Sequence, residues 1–449
     1  MCQILNRSRL SNRLYVFVLL IFIVYVNGCA LMGCALVKKI EVKPSPLRTY
    51  REEKIPEEQI EKNDFSVAKG EDVIGRLAVV RLEKGDTLPD IARHFSLGID
   101  ALSAANPGVD VWVPKAGERI LLPLSFILPD APRKGIVINL AAMRLFQFKG
   151  EGHSLTVSTY PLGVGTLERP SPTGQMVVAR KATRPTWHVP ASIAKDHLKK
   201  GDPLPAKVLP GPQNPLGEYA LYLSKSTYLI HGTNKPASIG LRATNGCIRL
   251  YPEDVKKLYE STSVKTPVYI VNQPYLLGQC NGVVYMEVHA PPEDLDAVEF
   301  DKIYIKLRNI EKESGRKLDW SKVKEVLAEA RGIPVPIFEI RQGGERGPVK
   351  TIEVKHPEKL YGKPEVPELQ MEAWYVLAAD LRDEMEALRI SAMINHQGPQ
   401  IPARVVSKRD SYRVMAGPFN DIGEAKDAVK RLRIDLEIDG ILIEPVRKK

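Results

Sequence analysis

Ile230-His231-Gly232-Thr233 and, after an intervening loop, Ala243-Thr244-Asn245-Gly246-Cys247-Ile248-Arg249-Leu250 hold the densest run of chemistry-bearing residues in the chain. The loop between them can fold back as a hairpin, which sets an imidazole beside a thiol. Nucleophilic chemistry at sulfur needs such a pairing, because the thiolate is the reactive form and a free thiol is mostly protonated at neutral pH. The imidazole takes the proton, and the resulting imidazolium stabilises the thiolate. Arg249 adds positive charge nearby. Gly246 permits a tight backbone and can leave the amides near Cys247 free to face a developing oxyanion. Taken alone, the pair reads first as a buried structural cysteine and a hydrogen-bonded core histidine, so the surrounding sequence has to decide.

Outward from this stretch, residues 134–272 are strand-dominated. Ile136-Val137-Ile138-Asn139-Leu140, Met143-Arg144-Leu145-Phe146-Gln147-Phe148 and Leu155-Thr156-Val157-Ser158-Thr159-Tyr160 suit strands, as do residues 173–179, 219–223, 228–231 and 267–271. Helices are expected around residues 190–200 and 251–260. The whole reads as a mostly β domain with a sheet curled around a small core.

Further motifs run through the same region: Ser171-Pro172-Thr173-Gly174, Pro185-Thr186-Trp187-His188-Val189-Pro190 and Gly211-Pro212-Gln213-Asn214-Pro215-Leu216-Gly217. Together with the HGT and GCIRL segments, they resemble the YkuD-type L,D-transpeptidase family. The resemblance implies that Cys247 is the acyl-accepting nucleophile and His231 its base. It implies that the Gly232 carbonyl orients the imidazole, and that Arg249 holds substrate or the catalytic loop. The family usually has Ser-His-Gly-Cys where this chain has Thr244-Asn245-Gly246-Cys247. Asn245 donates hydrogen bonds but carries no charge, so oxyanion stabilisation, thiolate pKa or substrate fit are the properties this departure touches. The implied reaction is acyl transfer from a tetrapeptide stem of peptidoglycan, with loss of the terminal D-Ala, to an amine of another stem or of a wall-anchored lipoprotein. Water as the resolving nucleophile gives carboxypeptidase or endopeptidase action, and a degenerate site gives a wall-binding scaffold. No cofactor or metal is expected: His153, His188 and His197 lack zinc-ligand spacing.

The chain has 449 residues, 44% apolar and 26% charged, with a net charge of +10. It can therefore bury sizeable cores, and its basic surplus suits polyanionic partners. Lys and Arg are scattered without interleaved aromatics, which argues against nucleic acid. Arg7, Arg9 and Arg13 precede an apolar run from Leu14 to Val26, the pattern of a secretory signal and short for a membrane span. Val26-Asn27-Gly28-Cys29 and Leu31-Met32-Gly33-Cys34 each resemble a lipobox, making Cys29 and Cys34 alternative lipidation candidates; an uncleaved anchor is the other reading. Both place the chain in the periplasm, membrane-attached. Residues 1–34 are thus the signal and lipobox, and residues 35–76 a solvated tether. Cys247 and Cys280 are the only cysteines left for the folded body, too few for a disulfide framework.

Residues 77–123 read as strand, helix, helix, strand. Asp86 or Thr87 is placed to cap the first helix, and Asn106-Pro107 ends the second. This resembles a LysM module, implying an α/β glycan-binding unit with its groove at the loops after the strands. Residues 273–368 read as an extension and linker, with a helix capped by Ser321 and a Pro- and charge-rich stretch over 343–368. Residues 372–446 read as βαββαβ, and Tyr412-Arg413-Val414-Met415-Ala416-Gly417-Pro418-Phe419 resembles a SPOR domain, implying contact with glycan strands. The expected architecture is multidomain: a small α/β module, a mostly β catalytic domain (134–272) and a C-terminal α+β module.

Overall fold

The computed structural model describes residues 60–225, 227–289, 297–338 and 350–446. The export segment, Cys29 and Cys34, residues 35–59 of the tether and residues 343–349 of the linker lie outside them. Among the described residues, no helix is long and apolar enough to cross a membrane.

In chain order, β1 (Asp64–Ser66) precedes an N-terminal module of β2 (Leu77–Arg81), α1 (Leu88–His94), α2 (Ile99–Ala105) and β3 (Arg119–Leu122). Thr87 caps α1, its hydroxyl accepting from Asp90 N at 3.2 Å, and Pro89 sits in the first turn where no amide donor is needed. The catalytic region supplies β4 (Gly135–Asn139), β5 (Arg144–Lys149), β6 (Thr156–Pro161), β7 (Val164–Gly165), β8 (Gly174–Thr183), α3 (Ala191–Lys199), β9 (Tyr219–Leu223), β10 (Leu229–His231), β11 (Arg242–Thr244), β12 (Ile248–Arg249), α4 (Pro252–Ser261) and β13 (Pro267–Val271). Nine of these strands form one mixed sheet in the order β1-β6-β5-β4-β13-β8-β9-β10-β12.

Alternate residues of the central strands serve two cores. Val137, Phe146, Phe148 and Val157 pack with Ile91, Phe95 and Leu102 of the N-terminal module. Ile136, Ile138, Leu145 and Val268 pack on the other face with Val255 and Leu258 of α4. Burial on both faces explains why Ile136-Val137-Ile138 is apolar without alternation.

The region expected as extension and linker is more ordered than its composition suggests. Strands β14 (Tyr275–Cys280) and β15 (Val283–Val288) form a hairpin closed by Asn281-Gly282, both with positive φ (51° and 71°). That is the backbone an Asn-Gly turn favours. Helices α5 (Ala297–Ser314) and α6 (Trp320–Glu329) follow. α6 is capped by Asp319, which accepts from Lys322 N at 2.9 Å, and not by Ser321. Within the expected linker, β16 (Thr351–Val354) pairs parallel with β2, aligning Thr351 with Leu77 and Val354 with Val80. Its alternating Thr351-Ile352-Glu353-Val354 pattern suits an edge strand half in contact with a core.

The C-terminal module comprises β17 (Trp374–Leu381), α7 (Glu384–Asn395), β18 (Ala403–Lys408), β19 (Ser411–Phe419), α8 (Ile422–Leu436) and β20 (Ile441–Ile443). Its sheet order is β18-β19-β17-β20, with a core of its own that includes Val376, Ile394, Val414 and Leu432. This is the βαββαβ arrangement read from the sequence.

Candidate active site

The catalytic sheet ends in β9, β10 and β12. β10 pairs parallel with β12, aligning Ile230 with Ile248 and His231 with Arg249. Residues in register share a face, and successive residues alternate. Ile230 and Ile248 are buried in the core, so His231 and Arg249 stand on the opposite face, with Cys247 one residue before Ile248 on that same side. The connection is a crossover, not the hairpin expected from the sequence. Residues 232–247 are long enough to travel, and β11 within them pairs with β7 instead of folding back on β10.

His231 is buried, and its Nδ1 lies 2.7 Å from the Gly232 carbonyl. A carbonyl only accepts, so Nδ1 carries the hydrogen and Nε2 is left as the acceptor. Burial lowers the His231 pKa to about 3, helped by the charge of Arg249 and opposed by backbone contacts with Gly232 and Leu216. Cys247 is partly exposed, and its Sγ lies 3.8 Å from the Thr227 carbonyl. Burial pushes its thiol up, against the Leu229 backbone and the charge of Arg249. Both shifts favour the neutral forms.

The turn before Cys247 is rigidly tied. Thr244 Oγ1 donates to the Cys247 carbonyl at 2.6 Å and accepts from Gly246 N at 3.1 Å. Gly246 has φ +100°, and a Cβ there would lie 2.8 Å from the Tyr228 ring and 3.1 Å from the Pro170 carbonyl, so no larger residue fits. The Gly246 amide is thereby occupied by Thr244 and not free for an oxyanion. Asn245 is exposed, and its Oδ1 accepts from Arg169 Nη1; Arg169 Nη2 donates to Asp196 on α3. Arg249 donates from Nη1 to Ser238 Oγ at 3.2 Å, and its backbone exchanges two 2.9 Å hydrogen bonds with Gly163.

Thr244, Asn245, Gly246, Cys247 and Arg249 thus lie on one turn and strand beside His231-Gly232. The reading of the sequence missed Arg169, Asp196, Ser238 and Gly163. Arg169 stands two residues before the Ser171-Pro172-Thr173-Gly174 motif, and a charged residue beside a motif gives no sign of the partner it reaches. His197 binds Asp202 (3.1 Å), and His188 lies in a short ribbon opposite Lys207. Among the described residues, no cluster of three His, Cys, Asp or Glu side chains is placed to hold a metal ion.

A mostly β sheet that carries a half-buried cysteine and a buried, carbonyl-bonded histidine at one edge fits the class of cysteine acyl-transfer enzymes. Residues 133–270 match the L,D-transpeptidase catalytic domain (YkuD), and residues 371–444 match the SPOR domain. The "Probable L,D-transpeptidase ErfK/SrfK" of Salmonella typhimurium is 36% identical over 285 residues, which is 61% of this chain and 91% of that protein. The "Probable L,D-transpeptidase YbiS" of Escherichia coli strain K12 is 40% identical, over 51% of this chain and 75% of its own length. A solved catalytic domain of an L,D-transpeptidase from E. faecium aligns with 32% of this chain and 99% of its own, at 18% identity and a TM-score of 0.24. The chain belongs to the L,D-transpeptidase family and carries a SPOR domain after its catalytic domain.

Proposed function

We propose that this L,D-transpeptidase acts on peptidoglycan stem peptides from the periplasmic side of a membrane, with Cys247 as nucleophile and His231 as base. The observation that carries the reading is the β10/β12 register, which sets His231 beside Arg249 with Cys247 on the same face. Sulfur attacks the carbonyl of the L-centre in a tetrapeptide stem while its proton passes to the free Nε2 of His231. The Gly232 carbonyl holds the imidazole in this tautomer and stabilises the imidazolium that forms. The developing oxyanion is received by the Cys247 amide and the Asn245 side chain, and Arg249 holds the substrate. The carbon–nitrogen bond to the terminal D-Ala then breaks, its amine taking the proton from His231, and a thioester remains. An amine of a second stem, or of a wall-anchored lipoprotein, attacks the thioester. Its proton goes to His231 and on to the departing sulfur, which regenerates the thiol. Neither metal nor cofactor takes part in this scheme.

Residues 77–123 are proposed as a LysM glycan-binding module and residues 372–446 as the SPOR module that keeps the enzyme on glycan strands. Residues 1–34 are proposed as a signal with lipidation at Cys29 or Cys34, and residues 35–76 as the tether. The βααβ order of the first module and the +10 charge support wall attachment.

The test is D-Ala release and cross-linked product from disaccharide-tetrapeptide, measured for the full chain and for Cys247→Ala. Loss of both in the variant is expected, and release that persists without Cys247 sinks the reading. D-Ala release without a new amide product assigns the hydrolase. Burial of both groups, which raises the thiol pKa and lowers that of the imidazole, adds a pH expectation. Iodoacetamide should alkylate Cys247 slowly at pH 6 and faster as pH rises through the thiol's own elevated pKa. A fast, flat profile between pH 5 and 8 would instead signal a standing ion pair.

A further inference from the structure

Asn245 stands where the family usually has a histidine, and the structure surrounds it with fixed neighbours. The backbone turn is locked by Thr244, which bonds Cys247 and Gly246, and by the positive φ of Gly246. The facing loop is tied to the same turn by Thr166 N, which donates to the Thr244 carbonyl at 3.0 Å, and is braced within itself by Gly165 N, which donates to Ser171 Oγ at 2.9 Å. Arg169 is held on that loop by its own amide, which donates to Thr166 Oγ1 at 3.2 Å, and by Pro170 behind it. With the backbone fixed, Asn245 keeps only its side-chain torsions, and with them the direction of its amide.

Arg169 removes that freedom. A carboxamide is nearly symmetric in shape, and its two ends differ only in donating or accepting. Guanidinium has donors only, so Oδ1 must face Arg169 and the NH2 must face away. Among the described residues, the Asn245 NH2 has no hydrogen-bond partner. Arg169 in turn is gripped by Asp196 of α3 through its other terminal nitrogen. The Arg169 and Asp196 side chains are 38% and 40% exposed, a setting in which an ion pair contributes little to folding stability. Two hydrogen bonds from one planar guanidinium nevertheless fix direction well.

We infer that Arg169 is a positioning residue for the acyl transfer: held by Asp196, it turns the Asn245 amide so that its NH2 becomes a fixed donor two residues before Cys247. This rests on the Cys247 reading above. The cationic partner and the neutral donor together occupy the place of a residue that could both donate and carry charge. The donor here is an uncharged carboxamide, which donates without carrying charge.

The experiment measures kcat and KM for D-Ala release from disaccharide-tetrapeptide by the full chain. Arg169→Gln and Asn245→Ala should each lower kcat by roughly 10-fold or more, the scale of a lost oxyanion donor, with KM nearly unchanged. The double variant should be no slower than Asn245→Ala alone, because both act through one amide. Arg169→Lys, which keeps a donor, should recover part of the loss, and Asp196→Asn should cost less than Arg169→Gln. Asn245→Asp separates direction from mere tethering: it keeps the Arg169 contact and removes the donor, and it should be slow. Wild-type kcat in Arg169→Gln or Asn245→Asp, or losses that multiply in the double variant, overturn the inference. Activity that survives Cys247→Ala overturns the underlying reading instead.

Discussion

The N-terminal βααβ module and the C-terminal βαββαβ module are both small, both flank the catalytic sheet, and are joined to it by different physics. The first shares a core with the enzyme. Leu88, Ile91, Phe95, Leu102 and Ile120 form one apolar cluster with Val137, Phe146 and Phe148 of the sheet. The second keeps its core to itself, and its outward contacts include charged and polar pairs. Arg389 meets Asp110 at 2.6 Å, His396 meets Asp90 at 3.1 Å, Lys430 meets Asp202 at 2.7 Å and Lys235 meets Asp435 at 3.3 Å. Apolar burial is proportional to area and is not weakened by charge screening, whereas the partly exposed pairs Arg389–Asp110, Lys430–Asp202 and Lys235–Asp435 are weak and screened; His396–Asp90 is the buried exception. The N-terminal module is therefore thermodynamically part of the catalytic domain, and the C-terminal one is docked on it. The first module is contacted both by the 350–368 stretch, at Asp86, and by the C-terminal module, at Asp90. Asp86 is taken by His356 at 2.9 Å and Lys363 at 3.2 Å, and Asp90 by His396.

The largest test of this contrast compares two core truncations. Phe95→Ala lies far from Cys247 in sequence but inside the shared core, at 1% exposure. It should cost about 3–5 kcal/mol and lower the melting of the whole catalytic domain, with activity lost in parallel. Leu432→Ala, fully buried in the C-terminal core, should cost about 2–5 kcal/mol but melt only that module. Calorimetry and D-Ala release followed against temperature check both. If Phe95→Ala leaves the catalytic transition in place, the modules are equally separable and the contrast fails.

The shared seam also holds a charge-sensitive group. Asp254 on α4 is buried, with Ser96 of the N-terminal module 3.5 Å away. Burial first, then the Glu253 charge, raises its pKa to about 7. In the unfolded chain the carboxyl ionises in the ordinary range near 4, so the folded state binds the extra proton between the two values. Stability from this group is present below about pH 4 and is lost as pH rises towards 7. Asp254→Asn should flatten that slope and stabilise the joined unit at pH 8 by roughly 1–4 kcal/mol. Unfolding by denaturant at pH 5 and pH 8 would show it; an unchanged slope would mean that the seam tolerates the ionised carboxylate.

How much of this was legible in the sequence follows from what each feature depends on. The L,D-transpeptidase family was readable because its motifs are local stretches of sequence, and the continuous apolar Ile136-Val137-Ile138 run betrays a strand buried on both faces. What covers those faces was not readable, since apolar residues do not name their partners. The parallel β10/β12 pairing was mistaken for a hairpin because nothing in residues 232–247 announces that β11 would pair with β7. The Asn281-Gly282 turn carried a direct signal that the charged surroundings obscured. Strand β16 was hidden in a stretch whose Pro and charge content reads as linker, although Ile352 and Val354 alternate correctly. The contacts of Arg169 were invisible because its two partners, Asn245 and Asp196, are far apart in sequence.

The smallest effect is expected where the contrast is most easily overstated, at a single docking pair. Arg389 sits on α7 and binds both Asp110 and, within its own helix, Glu386. Asp110 also accepts from the amides of Trp112 and Val113, each at 2.9 Å, so its loop is held without Arg389. Both Arg389 and Asp110 are about one-third exposed, and Arg389→Ala should therefore loosen docking by no more than about 1 kcal/mol and leave both melting transitions where they are. The consequence should appear in how easily salt opens the molecule. At 1 M salt the screening length is about 3 Å, short enough to weaken the partly exposed pairs Arg389–Asp110, Lys430–Asp202 and Lys235–Asp435, while the buried His396–Asp90 contact is screened much less. Small-angle scattering of the wild type should show expansion as salt rises towards 1 M, with Arg389→Ala expanding at a lower concentration. A radius of gyration indifferent to both salt and the substitution would mean that the C-terminal module is held by packing after all, as when Gly398 presses against the Asn234 carbonyl so closely that a Cβ would come within 1.7 Å of it.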